Sequence, residues 1–351
     1  PRLARRQIAE IEQHQPLDLA RLGEHHRFQH QRRKIGAKPV LGQKAQPAGR
    51  ALGRGRFRGR DALNRSPVTL LVLTLAPALL GLAIFRAYPI GLAFYESLYT
   101  TVAGERTFVG LGNYADLITD AGFWKSLRVT LWFNLIINPL QVALALALAL
   151  MFVQKLPGMA VFSLLFLIPI GISLPVAVIL WRIVLLPGGF LNGALGIRGL
   201  GPYRFLTSPD FALYSIIGIA TWKGISYWMI FLVGGLQNIP QEINEAARLE
   251  GASAWQRLWL VTLPLLRPTL LFVLVADITI NFLLFAPVFM LTGGGPRGST
   301  NVLMYEAYKS GFVFGDMGRA MAIVVCLVAI LLVIVAIQFR LLSSAPSKEA
   351  R

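Results

Sequence analysis

Residues 127–153 read LRVTLWFNLIINPLQVALALALALMFV, with one charged side chain, Arg128, in 27 positions. An α-helix needs about 20 apolar residues to cross roughly 30 Å of hydrocarbon. The stretch is continuous in its apolar character, including the Ala/Leu repeat over 143–150, so it reads as a spanning helix and not as the alternating strand of a membrane barrel. Within hydrocarbon a helix satisfies its own backbone hydrogen bonds. Working outward, five further runs of similar length appear: 70–94 upstream, then 161–185, 211–236, 269–291 and 320–339. Several contain proline (Pro77, Pro89, Pro169, Pro175), which predicts kinks compensated by neighbouring helices. The whole chain of 351 residues is 55% hydrophobic and only 15% charged, against about 25% charged for soluble domains. The expected fold is therefore all-α and integral to a membrane, with six transmembrane helices.

The net charge of +17 is unevenly placed: residues 1–65 hold 16 Lys/Arg against 5 Asp/Glu. This segment is rich in Arg, Gln, His, Gly and Pro and cannot build a core, so it reads as a disordered basic extension. Three readings of it stay open: a tail held at anionic lipid, an RNA-binding arginine/glycine segment, or sequence upstream of the true start, given proline at position 1 and the first methionine at Met151. Basic residues before the first span (Arg54, Arg56, Arg58, Arg60, Arg65), after the sixth (Arg340, Lys348, Arg351) and in the loop after the fourth (Arg248, Arg257, Arg267) predict cytoplasmic N- and C-termini. Arg106, Lys125, Arg198, Arg204, Arg297 and Lys309 fall on the other side in this orientation.

The loop between spans four and five, residues 237–264, alternates polar and apolar residues at helical spacing. Pro240 stands where a helix can begin, Gly251 permits a sharp turn, and a second short amphipathic helix is expected over 252–263, ending at Pro264. Two short helices joined at a glycine make a knob suited to docking into a groove on a soluble partner. Here the sequence resembles a known family. Glu245-Ala246-Ala247, then three residues, Gly251, nine residues, Val261, one residue and Leu263-Pro264 match the EAA loop of permeases of binding-protein-dependent ABC importers; the one departure is Val261 where the family has Ile. Residues 108–114 (FVGLGNY) and 291–296 (LTGGGP) with Ser299-Thr300 resemble segments of sugar permeases of the maltose and glycerol-3-phosphate type.

The resemblance implies a type I (MetI-like) permease domain over 66–345. It also implies a second homologous permease, two ATPase subunits that carry the ATP and Mg, an extracytoplasmic solute-binding protein, and a carbohydrate, glycerol-3-phosphate or related polyol as solute, in a bacterial inner membrane. It assigns Glu245, Ala246, Ala247, Gly251, Leu263 and Pro264 to coupling with the ATPase.

Polar groups inside spans mark interhelical bonds or a solute path. The candidates are Asn134, Asn138, Tyr227, Asp277 and Asn281, with Trp222, Tyr227 and Trp228 as aromatic walls. Asp277 and Asn281 share a helix face. The resemblance to the maltose-type pattern favours Asn281 as a substrate residue. No G-x-x-x-x-G-K-[ST] occurs, so no nucleotide site is expected on this chain. The four histidines all lie before residue 31 and the lone Cys326 sits in an apolar run, so neither a catalytic nor a metal constellation is expected. Of the three readings of residues 1–65 the upstream sequence is preferred and RNA binding comes last, so nucleic acid is not expected as a partner. The competing classes are an ATPase-independent secondary transporter, for which no inverted repeat is visible, and a membrane scaffold whose basic tail does the work.

Overall fold

The computed structural model describes residues 67–102, 104–154 and 158–343. The basic segment 1–65 lies outside the described residues. The chain begins with α1 (Pro67–Leu82), a π turn over Ala83–Ala87 and α2 (Tyr88–Glu96). A hairpin of β1 (Tyr99–Val102) and β2 (Glu105–Phe108) follows, pairing Tyr99 with Phe108 in antiparallel register. Then come α3 (Gly112–Thr119) and the long α4 (Ala121–Val153). Next are α5 (Met159–Gly171), α6 (Leu174–Leu185), α7 (Phe190–Gly196) and α8 (Ala212–Gln237). The loop expected to carry function holds α9 (Gln241–Leu249) and α10 (Ala254–Arg257), before α11 (Leu263–Phe282), α12 (Leu303–Tyr308) and α13 (Met317–Ser343).

Among the described residues, six helical stretches are long and apolar enough to cross a membrane: Thr74–Glu96, Ala121–Val153, Leu174–Gly196, Ala212–Gln237, Ala254–Phe282 and Met317–Leu341. The count agrees with the expectation; two details differ. The third run is not one helix. It breaks between α5 and α6, where Ile172 and Ser173 take extended backbone and Pro175 occupies the first turn of α6. Pro175 has no N–H to donate to the carbonyl of Gly171, so the ladder of α5 cannot run through it, and proline is well tolerated in the first turn of the next helix. The fifth span ends at Phe282 and not near 291, because residues 283–285 leave the helix ahead of Pro287.

Two other prolines are absorbed without a break. Before Pro89 and before Pro264 the backbone makes a π turn, with Tyr88 N–H donating to Ala83 O and Leu263 N–H to Leu258 O. π geometry is rare and occurs mostly as single turns inside α-helices, and here such a turn shifts the bonding register just ahead of the residue that has no donor.

α4 and α8 form the most extensively packed pair. The Ala/Leu repeat explains the fit. Ala145 and Ala149, one turn apart, are fully buried with Val142 against Trp228, Met229 and Leu232 of α8, while Leu144 faces outward. Small residues let membrane helices approach closely. A second apolar cluster joins Phe133 and Ile137 of α4 to Ile216 and Ala220 of α8, and a third joins α11 and α13 through Ile278, Phe282, Ile323 and Leu327.

The segment 108–114 has a local role. Asn113 Nδ2 donates to Ser97 O (2.8 Å) and Tyr99 O (2.6 Å), and Tyr114 OH meets Ser97 Oγ (2.6 Å), which closes the hairpin onto α3.

Candidate functional site

The loop between α8 and α11 shows why its motif has its spacing. α9 runs from Pro240, its N-cap, with Glu242 in the first turn and Arg248 in the last, each complementing the helix dipole. It ends in a Schellman motif. Gly251 stands at φ +82°, its N–H donates to Arg248 O (3.0 Å), and Ala252 N–H donates to Ala247 O (3.0 Å). The second alanine of Glu-Ala-Ala thus supplies the accepting carbonyl, and the glycine four residues later supplies the left-handed turn. Ala247 is buried; Glu245 and Ala246 are exposed.

The next segment starts with a capping box. Gln256 N–H donates to Ser253 Oγ (3.3 Å) and Ser253 N–H to Gln256 Oε1 (2.8 Å). The second short helix expected over 252–263 is not separate: α10 passes through the π turn Leu258–Thr262 into α11. Leu263 and Pro264 therefore lie in continuous helix. The knob's surface is unusually apolar: Leu249, Trp255, Trp259 and Leu260 are all more than half exposed, and the two indoles meet edge to face at 5.6 Å.

A cavity of about 320 Å³ lies between α4, the α5–α6 break, α8 and α11. Asp277, Asn281, Tyr227 and Trp228 line it, together with Gln141 and Lys223. Asp277 Oδ1 accepts from Trp228 Nε1 (2.6 Å) and Asn281 Nδ2 (3.1 Å). Asn281 Nδ2 also donates to Asn138 Oδ1 (2.7 Å) and Gln141 Oε1 (3.0 Å), and Gln141 Nε2 donates to Ala220 O (2.8 Å). Asp277 is buried and its Oδ2 has no partner among the described residues. Gly224 lets α8 approach Gln141, since a Cβ there would stand 2.4 Å from Nε2.

Asn134 and Asn138 continue the polar line along α4. Asn138 Nδ2 donates to Asn134 Oδ1 (3.2 Å), and Asn134 Nδ2 to Thr130 O (2.8 Å). They border a different hollow, of about 770 Å³, between α4, α11 and α13. Only Asn138 reaches the cavity group, through Asn281. Trp222 is turned away, edge to face with Trp181 at 5.6 Å.

Sequence reasoning missed two lining residues. Lys223 donates to Pro169 O (2.9 Å) and Ile172 O (2.5 Å), the carbonyls freed where α5 ends. Gln141 lies one turn beyond Asn138. A lysine inside an apolar run was signal enough for the first.

With this geometry in hand, comparison with known proteins is specific. A family profile described as "Binding-protein-dependent transport system inner membrane component" matches residues 141–345. The sn-glycerol-3-phosphate transport system permease protein UgpA of Agrobacterium fabrum is 33% identical over 272 residues, covering 76% of this chain and 92% of its own length. The trehalose/maltose transport system permease protein MalF of Thermococcus litoralis is 33% identical over 254 residues, 72% of this chain and 86% of its own. Among solved structures, that of a bacterial ABC transporter involved in import of the acidic polysaccharide alginate superposes with a TM-score of 0.70 over 80% of this chain and 96% of that one; at 22% identity it speaks for the fold. The family match covers more than half of the chain, both relatives are matched over nearly their full length, and the superposed structure has the same architecture: the chain belongs to the family of binding-protein-dependent transport system inner membrane components.

Proposed function

We propose that this chain is the permease subunit of an ATP-driven ABC importer for a carbohydrate or sugar-like solute, delivered by an extracytoplasmic binding protein. The observation that carries the reading is the knob between α8 and α11, whose Schellman turn at Gly251 rigidly presents exposed Leu249, Trp255, Trp259 and Leu260. Exposed apolar surface on a short amphipathic helix is what a groove on a partner buries. The partner is an ATPase subunit, with Glu245, Ala246, Ala247 and Gly251 at the joint and Leu263 and Pro264 carrying motion into α11. The knob and both termini are cytoplasmic in this reading.

Residues 66–345 form the permease domain, with 1–65 an extension to it. A second permease is supported by the first span: no part of Thr74–Glu96 is buried within this chain, and Leu79, Leu80, Phe85 and Ile90 are exposed on several faces. The sugar class is supported by the named substrates of the relatives. The solute path is assigned to the cavity lined by Tyr227, Asp277 and Asn281; Asn134 and Asn138 support it from behind.

The test is co-purification in detergent with ATPase and partner permease subunits, as wild type and as Gly251→Arg. At φ +82° an L side chain is strained, so the mutant opens the Schellman turn. The expected result is that the ATPase accompanies the wild type and is lost, or no longer stimulated by solute, in the mutant. An ATPase equally bound and equally stimulated in the mutant refutes the joint; no ATPase with the wild type in any combination refutes the importer reading.

A further inference from the structure

Two hollows meet on α4, one charged and one apolar. The first, of about 740 Å³, lies between the first turns of α4, residues 209–214 at the start of α8, and Ser299. Lys125, Arg128 and Asp210 line it, with the rings of Trp132 and Tyr214, each about half exposed. The second is the hollow of about 770 Å³ between α4, α11 and α13, walled mainly by carbon from residues such as Leu131, Leu135, Ile278 and Ile334. Arg128 and Trp132 line both. We propose that the pair binds one anionic phospholipid, the headgroup of a phosphatidylglycerol in the first hollow and an acyl chain in the second.

The placement suits a lipid of the leaflet opposite the knob. α4 and α8 run parallel, since Phe133 packs with Ile216 and Ala149 with Leu232. α8 ends at the knob, so Arg128 lies at the far end of its span. Along α4 the second hollow extends from Arg128 to Pro139, a rise of about 16 Å. That is close to half of the roughly 30 Å of hydrocarbon in a bilayer, the depth of one leaflet. Asn134 and Asn138 on its wall are buried and bonded to one another and to Asn281. Tryptophan and tyrosine settle at headgroup level, where Trp132 and Tyr214 flank the charged hollow.

The charge balance selects the headgroup. Lys125 gives one N–H to Arg297 O (2.6 Å) and Arg128 its Nε–H to Trp124 O (3.4 Å), which leaves two ammonium and four guanidinium hydrogens. Asp210 forms no ion pair with either among the described residues. Two cations against one carboxylate leave one net positive charge, which a singly charged phosphodiester cancels. The hydroxyls of a glycerol head donate to Asp210. An ethanolamine head brings its own ammonium and leaves the positive charge uncompensated. Ser299 Oγ, on the same lining, is buried without a partner among the described residues and offers a hydroxyl to a phosphate oxygen. Free phosphate would occupy the first hollow and leave the second open.

The experiment uses the full chain, with the subunits that co-purify with it, stripped of lipid in detergent. It is titrated with phosphatidylglycerol, phosphatidylethanolamine or inorganic phosphate while the thermal unfolding midpoint is followed. Phosphatidylglycerol is expected to raise the midpoint saturably, and the other two to leave it unchanged. Lys125→Gln with Arg128→Gln should weaken phosphatidylglycerol about thirtyfold, at about fivefold per cation. Leu135→Trp narrows the second hollow, keeps both charges and should weaken it too. An equal response to phosphatidylethanolamine, or wild-type affinity in either variant, overturns the site. A response to phosphate reduces it to an anion site and overturns the lipid. So does a lipid response that vanishes once a second permease is bound, since the hollow is then a subunit interface. If a variant fails to fold, the wild-type ranking of the three ligands decides. The importer reading stands or falls separately, on whether the ATPase co-purifies.

Discussion

Replacing Gly224 by alanine tests whether the α4–α8 contact positions the cavity's polar group. The added methyl would stand 2.4 Å from Gln141 Nε2, 2.7 Å from Cδ and 3.0 Å from Oε1. The amide cannot simply retreat. It is 1% exposed, donates to Ala220 O and accepts from Asn281. Either the helices separate or the amide rotates out of both bonds. Overpacking costs about 1–3 kcal/mol and a stranded buried partner about 1–3 kcal/mol, so the expected loss is about 2–6 kcal/mol.

The assay is unfolding by SDS in mixed micelles for wild type, Gly224→Ala, Gln141→Ala and the double variant. Removing the Gln141 amide makes room for the methyl, so the double variant should be more stable than the sum of the singles implies, by more than about 1 kcal/mol. A single-variant loss below about 1 kcal/mol, or strict additivity, would mean that the contact adjusts freely and that Gln141 is not a fixed support for Asn281.

Gly318→Ala brings a methyl 1.7 Å from Tyr99 O and 3.2 Å from Asn113 Nδ2. Because the obstacle is backbone held by Asn113, the cost should reach about 3 kcal/mol in the same assay, the upper end for overpacking; a loss of a few tenths would show that the hairpin shifts without consequence. Asp120, which caps α4 by accepting from Gly122 N–H (2.7 Å), also accepts from Arg319 Nη2. Partial burial would raise its pKa, but Gly122 and Arg319 outweigh it and hold the carboxyl below its ordinary value. Its contribution is therefore complete above the ordinary Asp value of about 4 and is lost as pH falls through the depressed one. Asp120→Asn should remove that part of the acid dependence of stability, and identical profiles for the two proteins between about pH 2 and 5 would refute the assignment.

Much of the architecture is legible in the chain because hydrocarbon imposes one requirement on every residue of a span. Apolar length alone locates six stretches, with ends uncertain by several residues. What proline does is only half legible. Pro89 and Pro175 both read as kinks in the sequence, yet Pro175 breaks the third run while Pro89 is absorbed by a π turn, as is Pro264, which reads as a helix end. The choice depends on whether neighbouring groups pair with the freed backbone, as Lys223 does by donating to the carbonyls at the α5–α6 break.

The turn at the end of α9 is the most fully legible part. A Schellman turn is closed by bonds between residues within six positions of one another, so the spacing from Glu245 to Gly251 already contains the geometry. The cavity is the opposite case. Asp277 and Asn281 share a face by helical period, but their partners lie far away in sequence: Asn281 meets Asn138 across 143 positions, and Trp228 meets Asp277 across 49. Which of several intramembrane amides faces the cavity, and whether Lys223 is held by backbone carbonyls, is decided by helix packing, because a hydrogen-bonding group's role is set by the partners within about 3 Å of it, and only the assembled bundle brings those partners there.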